Sequence, residues 1–450
     1  MVAVRFEPAG PLRGALTPPP DKSISHRAAI LAAMGDGEAT IENYLDAADT
    51  RATLRAIETL GATVATGGGE EMEVRIQGIG LQGPGERATQ GDAPEIDVGN
   101  AGTLMRLLPG WLAGQGAGAW RLDGDESIRR RPVDRVAEPL RQMGAQLDCR
   151  DGRLPPLWVH GGALSGTTYQ LPVASAQVKS CVLLAGLLAD GPTAVVEPAP
   201  TRDHTERMLT AAGARLRVEP ARTPVAIRGA LPGARITIEP AQRLRIASVS
   251  VPGDFSSAAF AIAAAVLVPG SEITVTDVGI NPTRVGLLGI LNRMGAGIEV
   301  TEETPVGGEP RGSVSARHGL PLEGIRVGAG DVPLAIDELP LVALLGCFAE
   351  GRTRLSGAEE LRHKESDRIS TVVAGVRGLG AEIEGTEDGF VVEGTGGLQG
   401  GAIDSHGDHR LAMLGAVAGL ASREGVEVRG FDAAGVSYPG FEADLRSLLS

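Results

Sequence analysis

Six times along this chain a polar start leads into an almost wholly apolar run, then a glycine-bearing turn, then a short alternating stretch. The runs begin near Lys22 (KSISHRAAILAAMGDGEATI), Asn100 (NAGTLMRLLPGWLAGQGAGAWRL), Ser175 (SAQVKSCVLLAGLLADGPTAVV), Asp254 (DFSSAAFAIAAAVLVPGSEITV), Asp337 (DELPLVALLGCFAEGRTRL) and Asp408 (DHRLAMLGAVAGLASREGVEV). Their spacing, roughly 70–85 residues, is that of an internal repeat of supersecondary units. Apolar runs of about 12 residues between turn signals fit buried helices and are too short to span a membrane. A helix that is apolar on nearly every side must be covered all round, so no unit can bury its own alone.

A weaker echo lies between these runs. LRAIETLGATV, PLRQMGAQL, MLTAAGARL, ILNRMGAGIEV and VVAGVRGLGAEIE each read as the end of an amphipathic helix, a small-residue turn and a strand. The tail at Leu445–Ser450 would be a truncated sixth copy. Each unit therefore predicts a buried helix, strands and a second helix, an α/β architecture. Two domains of three units fit this better than six free ones. A crossing near Ser248, with the residues before Asp21 joining the second half, gives one domain of residues 21–247 and a discontinuous one of 1–20 with 248–450. A single split near Gly229 is the alternative.

Composition narrows the function classes. Of 450 residues 64 are Gly, against seven Phe, three Tyr and three Trp, so a ring-stacking surface for nucleic acid is hard to build. The net charge of −14 also argues against a nucleic-acid partner, which needs a basic face. Cys149, Cys181 and Cys347 lie far apart with no metal-ligand spacing, so neither a disulfide scaffold nor a metal site is expected. MVAVRFEPAG has no apolar signal core, which points to a cytoplasmic protein without a membrane partner. No GxxxxGK[ST] or GxGxxG follows a strand, so no nucleotide cofactor is implied.

The chemistry gathers at helix starts. A helix N-terminus offers free N–H groups and about half a positive charge, a ready anion site. Here the starts also carry Lys22, Ser23 and Arg27; Asn100 to Thr103; Ser175 and Gln177; His409 and Arg410. Ser, Asn and Asp are ordinary caps, so each start taken alone also has that plainer reading. DKSISHR is the sharpest, because basic residues oppose the helix dipole there unless an anion is bound. In GDESIRRRP, Pro132 holds Arg131 extended for bidentate contact with an anion, although three adjacent arginines are more often a solvated loop. Arg202 in TRDHTE has the plainer option of pairing with Asp203 or Glu206. In ELRHKESDR, Lys364 and Arg368 stand i, i+4 if helical, flanking Glu365, and a surface ion-pair ladder is as good a reading of that stretch alone. His26, His363 and His406 read as structural.

DKSISHR, GNAGTLMR, RRRP, SAQVKS, TRDHTE, the IDE at Ile336–Glu338, KESDR and GDHRLAM together, in this order, resemble the signatures of the 5-enolpyruvylshikimate-3-phosphate synthases, over about residues 20 to 440. The resemblance implies an enolpyruvyl transferase-like inside-out α/β barrel of two domains, each of three βαβαββ units. It implies transfer of the enolpyruvyl group of phosphoenolpyruvate to the 5-hydroxyl of shikimate 3-phosphate, through a tetrahedral intermediate, by a monomer with no cofactor. By position, Lys22, Ser23, Arg27, Ser175, Ala176, Gln177 and Arg202 look like the shikimate 3-phosphate side. Asn100, Gly102, Arg131, Lys364, Arg368 and Arg410 look like the phosphoenolpyruvate side, which Lys22 also faces. Asp337 looks like the residue that holds the shikimate hydroxyls and helps take the proton of the attacking one. Glu365 looks like the acid that protonates the methylene carbon.

Two departures stand out. Val436 precedes Ser437-Tyr438-Pro439 where many members carry a Lys, and Ala176 stands where others have a second Ser. Gly102, which is Ala in some glyphosate-tolerant members, implies inhibition by glyphosate. The rival readings are the sister transferase acting on UDP-N-acetylglucosamine, whose reactive loop cysteine has no counterpart here, and a noncatalytic anion-binding repeat protein. A related cyclase fold that binds RNA ends fits the acidic balance poorly.

Overall fold

The computed structural model describes residues 2–67, 69, 71–87, 93–221, 232–305, 308–319 and 321–449. The alternative split near Gly229 lies outside them.

The six apolar runs are helices, here α1 to α6 in chain order: α1 (Lys22–Met34), α2 (Gly102–Ala113), α3 (Ala176–Gly186), α4 (Phe255–Leu267), α5 (Leu339–Phe348) and α6 (His409–Ala421). All 13 residues of α4 are buried. Four starts are capped by side chains: Asp21, Ser175, Asp254 and Asp408 accept from the N–H of Ile24, Val178, Ser256 and Arg410. That satisfies one otherwise orphaned donor each. Lys22 is thus the first residue inside its helix, directly after the Asp21 cap. Packing among the apolar helices is close: a Cβ on Gly110 of α2 would fall 2.2 Å from the Cys181 carbonyl oxygen of α3.

Each helix lies against one small sheet. Five sheets have four strands with a shared order. In the second, Glu95–Asp97 runs parallel to Ala119–Asp123, which pairs antiparallel with Leu154–His160, and that strand with Gln146–Arg150. The sixth has three strands: Gly401–Asp404 runs parallel to Val426–Arg429, which is completed by Ala3–Phe6 from the other end of the chain. The expected truncated copy at Leu445–Ser450 falls on the helix Phe441–Ser447, which no strand follows among the described residues.

The halves exchange strands at their join. Arg13–Leu16 adds to the fourth sheet beside Glu272–Gly279, while Ser248–Ser250 adds to the first beside Glu38–Glu42. One hydrophobic core runs from Ile24 to Val251; the other gathers Phe6, Leu12 and Leu16 with residues from Phe255 to Leu448. The two connecting segments touch: Asp21 N donates to Pro252 O at 2.8 Å and Asp254 N to Pro19 O at 2.7 Å. No helix among the described residues is long and apolar enough to cross a membrane.

Candidate functional site

The starts of all six apolar helices face one cleft of about 370 Å³ between the halves. Lys22 and Ser23 of α1, Gly102 of α2, Ser175, Ala176 and Gln177 at α3, Asp254 at α4, Asp337 just before α5, and Arg410 of α6 all line it. Arg27, Asn100, Arg131, Arg202, Lys364, Glu365 and Arg368 complete the lining among the residues singled out from the sequence. Every one of those candidates is therefore on this cleft.

The cleft is held by charge pairs, and the plainer readings fail for physical reasons. Arg202 reaches past Asp203 and Glu206 to the other half, where its Nη2 lies 2.5 Å from Asp337 Oδ2. Asp337 also has Arg368 Nη1 at 3.4 Å, Arg410 Nη2 at 3.5 Å and Lys364 Nζ at 3.8 Å. Burial alone would raise its carboxyl, but Arg410, then Arg202, Lys364 and Arg368, hold it well below the usual carboxylate range. Glu365 receives Arg368 Nη2 at 2.7 Å and has Arg131 Nη1 at 3.7 Å. There too burial pushes upward and is outweighed, first by Arg368 and then by Arg131.

Lys364 and Arg368 do not share a helix. A short 3-10 turn, Glu359–His363, ends at Lys364, and the next helix begins at Arg368 with Asp367 as its cap. No surface ladder forms either, because Arg368 is 1% exposed and its Nε donates to Asp408 Oδ2 at 2.8 Å. Arg129 and Arg130 do behave as a solvated pair, with Asp123 and Glu126 as partners. Arg131 departs from them: it is buried with extended backbone, and its Nη2 donates to Asn100 Oδ1 at 2.8 Å.

Other cleft residues were missed. Arg106, one turn after Gly102, is buried and donates to Gln177 Oε1 at 3.1 Å. Burial pushes its guanidinium down to about 10, as it does that of Arg27. The hydrogen bonds of Arg27 go to Thr205, Ser180 and the Ser23 carbonyl. All these hydrogen-bond partners are neutral; carboxylates such as Glu206 near Arg27 and Glu360 near Arg106 act only through space and do not offset the burial, so both cations favour an incoming anion. Asp49, 3.1 Å from Lys22 Nζ, and the cross-cleft pair Arg135–Glu360 were also missed. Of the histidines set aside, His363 lines the cleft. His26 is buried against Thr53 Oγ1 at 2.6 Å, and burial pushes it down to about 3. The signal for Arg106 was its place on the α2 face that carries Gly102; the pairing of Arg135 with Glu360 joins residues too distant for any sequence pattern.

Val436 is half-buried at the end of the 3-10 turn Phe431–Val436 and is not on the cleft. Its neighbour Gly435 lines a separate crevice with Asp46, Arg51 and Arg55. Cys149 sits in a strand, Cys181 in α3 and Cys347 in α5, all as free thiols. Such positions suit packing and not a reactive loop.

This arrangement can bind two polyanionic groups side by side. It offers helix N-termini, six or more cations, and two carboxylates held ionised between them. Comparison with known proteins agrees. The family model for EPSP synthase (3-phosphoshikimate 1-carboxyvinyltransferase) matches residues 6–445. A 3-phosphoshikimate 1-carboxyvinyltransferase from a Synechococcus strain is 45% identical over 447 residues, covering 99% of this chain and 98% of that protein. One from Alkalilimnicola ehrlichii is 47% identical over 435 residues, covering 96% and 93%. An EPSP synthase structure from Acinetobacter baumannii superposes with a TM-score of 0.83 at 38% identity, over 100% of this chain and 98% of that one. The enolpyruvyl transferase NikO from Streptomyces tendae shares the fold at 19% identity, with a TM-score of 0.73 over 99% and 96%.

Proposed function

We propose how the cleft works from one established point, that the chain belongs to the EPSP synthase family and is an enolpyruvyl transferase of the shikimate pathway. It joins the enolpyruvyl group of phosphoenolpyruvate to the 5-hydroxyl of shikimate 3-phosphate and releases phosphate.

The residue assignment starts from charge. Lys22, Ser23, Arg27, Ser175, Gln177 and Arg202 hold shikimate 3-phosphate against the first half. Arg131, Lys364, Arg368 and Arg410, with Asn100 and Gly102, hold phosphoenolpyruvate. Ala176 leaves its backbone and helix position to the first site and no hydroxyl. We read the two cores as two domains, residues 21–247 against 1–20 with 248–450, except that the strand Ser248–Ser250 and Val251 stay with the first, so the crossings lie at Asp21 and between Val251 and Asp254. The chain works as a cytoplasmic monomer without a cofactor.

The chemistry follows. A proton passes from Glu365 to C3 of phosphoenolpyruvate, C2 gains cationic character, and the 5-hydroxyl oxygen bonds to C2 as its proton leaves toward Asp337. The C2–O bond to phosphate then breaks with its electron pair leaving on phosphate, which takes up the proton held at Asp337, and a C3 proton returns to Glu365, which restores the double bond. Arg368 and Arg131 hold Glu365 ionised. Anionic phosphate beside Arg368 and Arg131 offsets the charge that holds it so, and the proton it needs becomes available. Arg and Lys around the departing phosphate stabilise the charge it takes away.

The observation that carries the reading is the meeting of cations from both halves on Asp337 and Glu365. The test is phosphate release from shikimate 3-phosphate plus phosphoenolpyruvate, with Lys22→Ala as control. Release that requires both substrates and fails in the control is expected. No release, or release only with UDP-N-acetylglucosamine, overturns it.

A further inference from the structure

The loop Asn281-Pro-Thr-Arg284 touches none of the reacting positions assigned above with its first three residues, yet it bonds the sequence neighbour of three of them. Arg284, 3% exposed, is its centre. Its Nη1 donates to Glu338 Oε1 at 3.1 Å, beside Asp337. Its Nε stands 3.7 Å from Oδ2 of Asp21, beside Lys22. Its Nη2 donates to Asp254 Oδ1 at 2.8 Å. Asp21 and Asp254 are the caps of α1 and α4 and stand where the chain crosses between halves. The loop's other end reaches the neighbour of Arg202: Asn281 Nδ2 donates to Asp203 Oδ1 at 2.7 Å, and Thr283 Oγ1 to the same oxygen at 3.1 Å.

One buried guanidinium thus meets three buried carboxylates from both halves, and the loop's amide and hydroxyl fix a fourth. Removing an Arg from such a set leaves buried carboxylates uncompensated. A Lys keeps the charge but replaces a fork of donors in fixed geometry with a single point. The loop lies in the second half, while Asp21 and Asp203 lie in the first, so its bonds register one half against the other at the join.

We infer that the Asn281–Arg284 loop is a positioning element for the transfer reaction. Arg284 sets Lys22 and Asp337 through Asp21 and Glu338, and Asn281 with Thr283 sets Arg202 through Asp203. This rests on the reading of Lys22, Arg202 and Asp337 given above.

The experiment uses the full chain with Arg284→Lys, Asn281→Ala and the wild type. Readouts are steady-state kinetics for both substrates, the dissociation constant of shikimate 3-phosphate by calorimetry, and melting temperature. Asn281→Ala removes the amide's bonds to Asp203, to Glu309 Oε2 and to Thr283 within the loop, and leaves Arg284 paired with its three carboxylates. Expected is a folded protein whose KM and dissociation constant for shikimate 3-phosphate rise about tenfold, with kcat changed less. Arg284→Lys is expected to lower kcat at least tenfold, and Arg284→Lys with Glu338→Gln, which drops one carboxylate demand, to recover part of it. Wild-type kinetic constants in folded Asn281→Ala and Arg284→Lys, with only a lower melting temperature, would overturn the inference. If Arg284→Lys does not fold, Asn281→Ala decides alone. A wild type that releases no phosphate refutes the functional reading instead, a result distinct from silent variants of an active enzyme.

Discussion

Arg202 and Asp337, one from each half, meet across the cleft with Nη2 2.5 Å from Oδ2. The bond joins two groups that the reaction assigns to different tasks, one to the substrate's anion and one to its hydroxyls. Asp337 is also ringed by Lys364, Arg368 and Arg410. Asp337→Asn removes the proton acceptor but also relieves four cations of their shared counter-charge. Its kcat should fall by about 10²–10⁴, the range for loss of a positioned acid or base. Its affinity for phosphoenolpyruvate, followed by thermal shift, should hold or tighten. A variant that retains kcat would remove Asp337 from the proton path.

Glu365 and Asp337 are both held well below the ordinary carboxylate range, so both are ionised in the free protein at any pH above about 5. In the free-enzyme profile, kcat/KM, Asp337 should therefore give no acid limb between about pH 5 and 8, while Glu365, which must carry a proton to donate it, should make kcat/KM fall with rising pH across that whole range. The profile of kcat reports the loaded cleft, where incoming phosphate raises Glu365, so there the fall with rising pH should start at higher pH. Glu365→Gln should abolish that limb along with most of kcat. Identical kcat and kcat/KM profiles in the wild type would contradict the shift on loading.

Arg135 and Glu360 pair across the cleft mouth at 3.1 Å. Each is about a third exposed or less, so the pair ties the two halves together only modestly, by about 1 kcal/mol or less. Glu360→Arg should raise both KM values severalfold and expand the unliganded protein in small-angle scattering. Arg135→Glu with Glu360→Arg should restore much of both. Failure of the swap to recover either would show that the pair does not hold the cleft.

A methyl at Gly102 would stand 3.1 Å from Arg106 Nη1 and 3.2 Å from Arg131 Nη1. Both are ends of long side chains and can give by a few tenths of an ångström, so Gly102→Ala should fold normally. The phosphoenolpyruvate KM should rise severalfold while that for shikimate 3-phosphate stays near wild type. Glyphosate should inhibit the wild type and inhibit the Ala variant far less. A wild-type inhibition constant far above the phosphoenolpyruvate KM would sink the argument from open space.

The repeat was readable because a helix apolar on all sides leaves an unmistakable run, and its start a polar residue beside it. Asp21, Ser175, Asp254 and Asp408 cap where that pattern puts them. Arg131 was readable because Pro132 restricts its backbone. The i, i+4 reading of Lys364 and Arg368 failed because a helix boundary falls between them, and KESDR alone does not mark the change from 3-10 turn to helix. Arg106 hides in α2, where one cation in an apolar run looks like an interruption. The Arg284 cluster gathers residues more than 300 positions apart, and no local pattern encodes such a meeting.

The pairing of Ala3–Phe6 with Val426–Arg429 also bears on how the chain is made. On a ribosome the first strands emerge long before their partners, while residues from Ile24 to Val251 can already close a core of their own. Ala3–Phe6 and Arg13–Leu16 then wait as unpaired edges through most of synthesis, and such edges template wrong pairings. Here the wait is softened by charge and turn residues: Arg5, Glu7, Pro8, Pro11 and Arg13 interrupt the apolar positions. A sixth sheet completed by Ala3–Phe6 links the last step of assembly to a strand made long before it.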